Sequence, residues 1–472
     1  MNLRGISFYL SLSCYPVAFF SFFNILYSSY FDYYLNLNTY ILTLFLSLFS
    51  SLIFYILSKN SDKDIKFYEQ LFLIFIIYIF ISFLVSIPYF FSNYQITFTD
   101  SFFESVSGLT NTGFTIFEDI KYFDPTLILW RSSSQWMGGL FFLIFLVLIF
   151  SNLKNEYKLT NLVYNPDKTK NLIKDINPVV IKIFFLYLFL SALIFTFLVF
   201  SGVRLFNSLN LAMAISSLGG FLPSNELKEI IRTNPQKLIF TLTLLFSTLN
   251  IYFFYSLIIN KGFFKKHYED LLIVILIIFF SLILFLSIKN SSIIEIFSSV
   301  ISSIGTSGLS FYKPPNNFNL FFVFLTIIGG SIISNSSGIK FLRFYILLKS
   351  LFVEIFKLVT PNIVIDQRIT KTENKINIEN INISFFVFIS FFISLLILSS
   401  FLSADNLDFE KSFKLSILTL TNTVNSDLYG LKDLSFSNLL TTSKVSIIIF
   451  MIIGKIELIS FFLIIKKIFT KN

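Results

Sequence analysis

Apolar runs long enough to cross a bilayer recur along the chain, broken by short polar segments. A hydrocarbon core takes roughly 20 apolar helical residues. Ten runs fit: 6–27, 40–57, 71–91, 127–150, 179–200, 238–259, 271–288, 318–348, 383–402 and 440–465. After the first two they fall into four pairs, and each pair encloses a long, moderately apolar insert ending in small or hydroxylated residues. Irregular backbone is forbidden in lipid but tolerated around an aqueous cavity, so each insert reads as a half-helix of roughly ten residues with a tight re-entrant return.

The inserts align on Gly113, Gly220, Gly308 and Val424. Eleven residues earlier stand Phe102, Leu209, Phe297 and Phe413, and seven earlier Val106, Met213, Ile301 and Ile417. That spacing puts both apolar positions on one face of a short helix. Three residues before the anchor stand Thr110, Ser217, Gly305 and Thr421. Four such units suit a pore with internal pseudo-fourfold symmetry, in which backbone carbonyls replace the water shell of a monovalent cation. The spacing predicts a positive φ at Gly113, Gly220 and Gly308, a cap at Asp100, and for Glu104 either dipole matching or direct attraction of cations.

Composition agrees with the bilayer as solvent. The 472 residues are 55% hydrophobic and 13% charged, with a mean hydropathy of +0.78. The net charge of +9 lies in alternate loops, among them Lys59, Lys63 and Lys66; Lys154, Lys158, Lys168, Lys170 and Lys174; Lys261, Lys265 and Lys266; and Arg343, Lys349, Lys357, Arg368, Lys371 and Lys375. This is a topology signal that places those loops and both termini in the cytoplasm, not a nucleic-acid surface. Cys14 is the sole cysteine, so no internal disulfide forms, and the sole histidine, His267, reads as a solvated loop residue that leaves no transition-metal site. The first run lacks a small-residue cleavage site and is too long for a cleaved signal peptide.

Residues 101–117, SFFESVSGLTNTGFTIF, closely resemble the first pore loop of the Trk/Ktr/HKT potassium-transporter superfamily. Residues 129–140, LWRSSSQWMGGL, resemble its following helix, and residues 329–343, GGSIISNSSGIKFLR, its broken helix with an intramembrane gating loop. Residues 454–457, GKIE, resemble a Gly-Arg-Leu-Glu element, and the two extra N-terminal helices point to the bacterial TrkH branch. The resemblance implies an all-α polytopic membrane protein, two N-terminal helices plus four helix–pore-loop–helix repeats around a pseudo-fourfold pore. The units are 1–60, the N-terminal extension; 61–165, 166–262 and 263–375, the first three repeats, the last with a broken second helix; and 376–472, the fourth.

The same resemblance implies potassium uptake across a bacterial inner membrane by a homodimer with one pore per protomer. A cytoplasmic, nucleotide-binding TrkA-like ring would dock beneath it, membrane lipid would surround it, and the chain would carry no organic cofactor. Its potassium filter would comprise Thr110, Asn111, Thr112 and Gly113; Ser217, Leu218, Gly219 and Gly220; Gly305, Thr306, Ser307 and Gly308; and Thr421, Asn422, Thr423 and Val424. Its gate would comprise Gly329, Gly330, Ile332, Ile333, Ser334, Asn335 and Gly338, with the positive charge of Lys455 nearby.

Three positions depart from that pattern. Val424 replaces the fourth glycine, and a β-branched residue resists positive φ, which predicts a distorted fourth strand and weaker discrimination between potassium and sodium. The gating segment has lost glycines; Ile332 and Ile333 read either as a hydrophobic plug or as helix-packing residues. Lys455 keeps the positive charge but loses the planar fork of arginine, and reads as a barrier charge or as a partner of Glu457. A less selective K+/Na+ translocator and a non-conducting scaffold or sensor therefore stand beside potassium uptake. A membrane enzyme does not, since no H-E-x-x-H or Walker A motif is present. With no evident chain of buried acids or histidines, channel-like flow is favoured over proton coupling.

Overall fold

The computed structural model describes residues 2–59, 65–152, 172–253, 267–288, 291–360, 376, 378–405 and 407–456. Among them there are helices and turns but no strand. Glu457, most of the basic loops that carry the topology reading, and the junctions between the expected repeats lie at or outside the limits of the described residues.

Two N-terminal helices, α1 (Leu3–Tyr30) and α2 (Leu37–Leu57), pack along each other. Small residues line their seam, where Ser51 Oγ donates to Ser11 O at 3.0 Å and Ser50 Oγ lies 3.5 Å from Cys14 Sγ. Lipid tails are as apolar as leucine, so close packing and interhelical hydrogen bonds hold such a pair together.

Four helix–half-helix–helix units follow. The first holds α3 (Phe67–Phe90), the half-helix α4 (Phe98–Leu109) and α5 (Pro125–Asn152). The second holds α6 (Leu172–Phe200), half-helix α7 (Leu205–Ser217) and α8 (Asn234–Thr248). In the third, α9 (Tyr268–Ser287) precedes half-helix α10 (Ile293–Ile304) and a broken pair, α11 (Asn319–Ile328) and α12 (Phe341–Val359). The fourth has α13 (Ile378–Ala404), half-helix α14 (Phe409–Leu420) and α15 (Thr441–Ile456).

Packing closes these units into a ring. Helix α5 lies against α4 and α7, α8 against α7 and α10, α11 against α10 and α14, and α15 against α14 and α4. Each second helix thus wedges between its own half-helix and the next. The half-helices therefore run α4, α7, α10, α14 around one axis, with α4 diagonal to α10 and α7 diagonal to α14.

Among the described residues, six helices are long and apolar enough to cross a membrane: α1, α2 and the first helix of every repeat. The chain is a multi-pass membrane protein. The second helices are shorter, broken or more polar because they face the axis; α5 buries Arg131, Ser132, Ser133, Ser134 and Gln135. Helix α8 stops at Thr248, with Leu249 extended, rather than running unbroken through 238–259. The freed backbone is satisfied within the protein: Thr248 O accepts from Ser331 N at 3.2 Å, and Asn250 N donates to Asp270 Oδ1 at 2.9 Å.

Candidate ion pore and its inner barrier

All four half-helices end the same way. The amide of the residue before each anchor (Thr112, Gly219, Ser307, Thr423) donates to the carbonyl five residues back, on Ser107, Ala214, Ser302 and Leu418, at 2.8–3.0 Å. The residue between that donor and the helix is left-handed in every unit: Asn111 (φ 60°), Leu218 (54°), Thr306 (58°) and Asn422 (47°). This is the Schellman closure, which turns the chain sharply and satisfies the last helical carbonyls. Asparagine suits the left-handed region, whereas leucine and threonine resist it and are held there by their surroundings.

Downstream of the closure the acceptors are open. Among the described residues, no backbone N–H donates to the carbonyls of Thr110, Asn111, Thr112 or Gly113, nor to those of the corresponding residues in the other three units. Only Thr421 O takes a side-chain donor, from Thr423 Oγ1 at 3.3 Å. A buried carbonyl free of backbone donors is uncommon; a set of them at the ends of four converging half-helices is the oxygen set a dehydrated cation requires.

The predicted positive φ holds at Gly113 (81°) and Gly308 (71°) but not at Gly220. Nor does Val424 have a positive φ. The predicted conformational strain at Val424 is therefore absent. The diagonal units agree with one another, first with third and second with fourth, so the ring is closer to twofold than to fourfold at this level. All four anchors line one open cavity of about 470 Å³. Across its rim, Lys432 pairs with Glu226 of the second unit and lies 3.3 Å from Asp427, which lies 3.8 Å from Lys313. The hydrogen bond from Lys432 holds the Glu226 carboxyl below its ordinary range. Burial pulls the Lys432 ammonium down, but Glu226 and Asp427 more than offset this and raise it.

Behind the first strand lies a buried ion pair. Arg131 Nε donates to Glu104 Oε1 at 2.8 Å, both side chains being almost fully buried. Glu104 also accepts from Ile116 N at 3.0 Å and Thr115 Oγ1 at 3.1 Å, while Arg131 reaches Leu222 O at 3.5 Å and covers the Phe221 ring. Glu104 is thus neither a dipole-matching nor a cation-facing group; it ties the exits of the first and second strands together. Asp100 does not cap α4 either. Thr97 does, accepting from Asp100 N, and Asp100 pairs with Lys444 at 2.6 Å.

Residues 329–340 fold into a compact loop against the ends of the half-helices. Ser337 N donates to Thr306 Oγ1 at 2.9 Å, and Asn335 Nδ2 to Ser216 O at 2.8 Å, joining the loop to the ends of two half-helices. Lys455 Nζ donates to Asn335 O at 3.1 Å and lies over the Phe142 ring. Lys340 Nζ donates to Ser334 O at 3.0 Å and Ser331 O at 3.3 Å. Gly329 (φ 72°) and Gly338 (80°) supply the turns, and Gly330 N donates to Ser336 Oγ. Ile332 and Ile333 are buried in an apolar cluster with Leu143, Tyr187 and Tyr252, which makes them packing residues rather than an axial plug.

Two supports of this loop escaped the sequence reading. Glu269, in the first turn of α9, accepts from Ile332 N at 2.9 Å. Beside it, His267 is buried rather than solvated, 2.9 Å from the Asp270 carboxylate that also holds Asn250. Acids in a first helical turn are common, and nothing in their spacing announces partners on other helices.

No family model matches the chain. It is 26% identical over 384 residues to an uncharacterised cation transporter of Methanocaldococcus jannaschii, covering 79% of this chain and 77% of that one. It is 24% identical over 297 residues to the Trk system potassium uptake protein TrkH of Escherichia coli K12, covering 59% of this chain and 61% of TrkH, less than two thirds of that relative's length. The crystal structure of the potassium transporter TrkH from Vibrio parahaemolyticus superposes with a TM-score of 0.85, covering 98% of each chain at 20% identity.

Proposed function

We propose that this chain, a divergent TrkH-like member of the Trk/Ktr/HKT superfamily, moves potassium ions across the membrane through the axis of its four half-helices. The observation that carries the reading is the fourfold Schellman closure, whose carbonyls take no backbone donor. Residues 110–113, 217–220, 305–308 and 421–424 are the filter strands. Residues 329–338, held by Lys455, are the inner barrier. The repeat units 61–165, 166–262, 263–375 and 376–472 follow the extension 1–60.

The resemblance extends the proposal to a homodimer in the bacterial inner membrane. Both termini are cytoplasmic in this reading, and a TrkA-like nucleotide-binding subunit docks on the same side.

The test is ⁸⁶Rb⁺ uptake into liposomes holding the purified protein, with competing K⁺ and Na⁺. Uptake suppressed by K⁺ well before Na⁺ is expected. Equal suppression by both ions favours the less selective translocator, and no uptake favours the scaffold.

A further inference from the structure

We infer that the Val424 side chain is a steric stopper at the outer end of the ion path. The inference rests on the proposed filter and concerns how fast ions leave or enter it.

The geometry is local and specific. A methyl group built on Gly220 would lie 2.3 Å from Val424 Cβ and 2.8 Å from its Cγ1. One built on Gly308 would lie 2.7 Å from Val424 Cγ1. One built on Gly113 would meet Gly220 Cα at 2.6 Å. Contact between Gly113 and Gly220, or between Gly308 and Val424, joins neighbours in the ring. Contact between Gly220 and Val424 is different, because the second and fourth strands are diagonal. A side chain that touches the opposite strand stands across the axis.

An ion in this plane needs oxygens on all sides and room for itself between opposed strands. The isopropyl group takes that room and offers no oxygen. Because Val424 sits at ordinary φ, no strain pushes it aside. Its χ1 is restricted by β-branching, and it packs between two glycines that have no side chain to yield. The group lines the outer cavity, so it meets an ion arriving from outside before the carbonyls do.

The consequence is a barrier in rate, graded by side-chain size, and not the loss of selectivity that strain would have given. Removing the group widens the outer plane while leaving the carbonyls of residues 421–423 in place.

The experiment is ⁸⁶Rb⁺ uptake into liposomes by the full chain and by Val424→Gly, Val424→Ala and Val424→Leu, each checked for monodispersity and thermal midpoint. All are measured also in a Lys455→Ala background, so that the inner barrier does not hide the outer one. Expected rates rank Gly above Ala above Val above Leu, with Val424→Gly about tenfold faster than the parent, or ~1.4 kcal/mol off the barrier. The K⁺/Na⁺ preference should stay the same or sharpen. A silent parent with a conducting Val424→Gly also supports the stopper. Equal, non-zero rates across the folded series in both backgrounds overturn the stopper and leave cation movement standing. No uptake by any folded variant overturns the conduction reading and the stopper with it.

Discussion

Arg131 places a full charge in an almost fully buried position, and Glu104 is its ionic partner. Taking one partner away leaves the other charged, buried and uncompensated, which costs about 3–5 kcal/mol. Arg131→Met should therefore lower the thermal midpoint of the detergent-solubilised protein sharply, and Glu104→Gln with Arg131→Met should recover part of the loss. A double variant that loses the sum of both single losses would show that the two side chains act independently. The left-handed residues are the other lesson at this scale. Asn111 and Asn422 could be read as turn formers from their chemistry. Leu218 and Thr306 could not, because local preference argues against the conformation they adopt. Only the shared 6→1 hydrogen bond, which requires the folded half-helix, places them in the same turn.

At the scale of elements, the inner loop depends on groups donated by distant helices. Asn335 joins it to α7 through Ser216 O, and Lys455 joins it to α15. One such hydrogen bond is worth about 0.5–1.5 kcal/mol net. Asn335→Ala should therefore raise basal ⁸⁶Rb⁺ flux roughly two- to tenfold; unchanged flux would count against the loop as a barrier. The half-helices were legible in the sequence, since small and hydroxylated residues mark each return; the break in the third repeat was legible only through the resemblance of residues 329–343, because its apolar run reads as one segment, 318–348. The break in α8 was not legible. Its apolar run continues past Thr248, and what stops the helix is Asp270, which takes the amide of Asn250 from another element. Glu104 and Arg131 both stood in recognisable stretches, yet their pairing follows only when α5 folds back along α4.

For the molecule as a whole, the outer rim links repeats that are far apart in sequence. Lys432 of the fourth repeat is held by Glu226 of the second. Because the folded Glu226 carboxyl lies below its ordinary range, its contribution is present above that range and is lost as pH falls through the depressed value. For Lys432, raised by its partners, the contribution is present below the ordinary lysine range and lost as pH rises through the raised value. Near neutrality both hold. Glu226→Gln should mimic the acid limit, remove a negative charge from the rim and leave Lys432 with Asp427 alone, reducing uptake from dilute Rb⁺ roughly two- to threefold at low ionic strength and less at high salt. An unchanged salt dependence would argue that Lys432 does not act on arriving ions.

The ring of wedged second helices is written in one chain, and that changes the arithmetic of mutation. In a pore made of identical subunits, a valine at the anchor would appear on every strand at once and fill the axis from all sides. Here a substitution arrives as a single copy, next to three glycines that keep their shape. An axis encoded this way can be altered in small steps, one strand at a time.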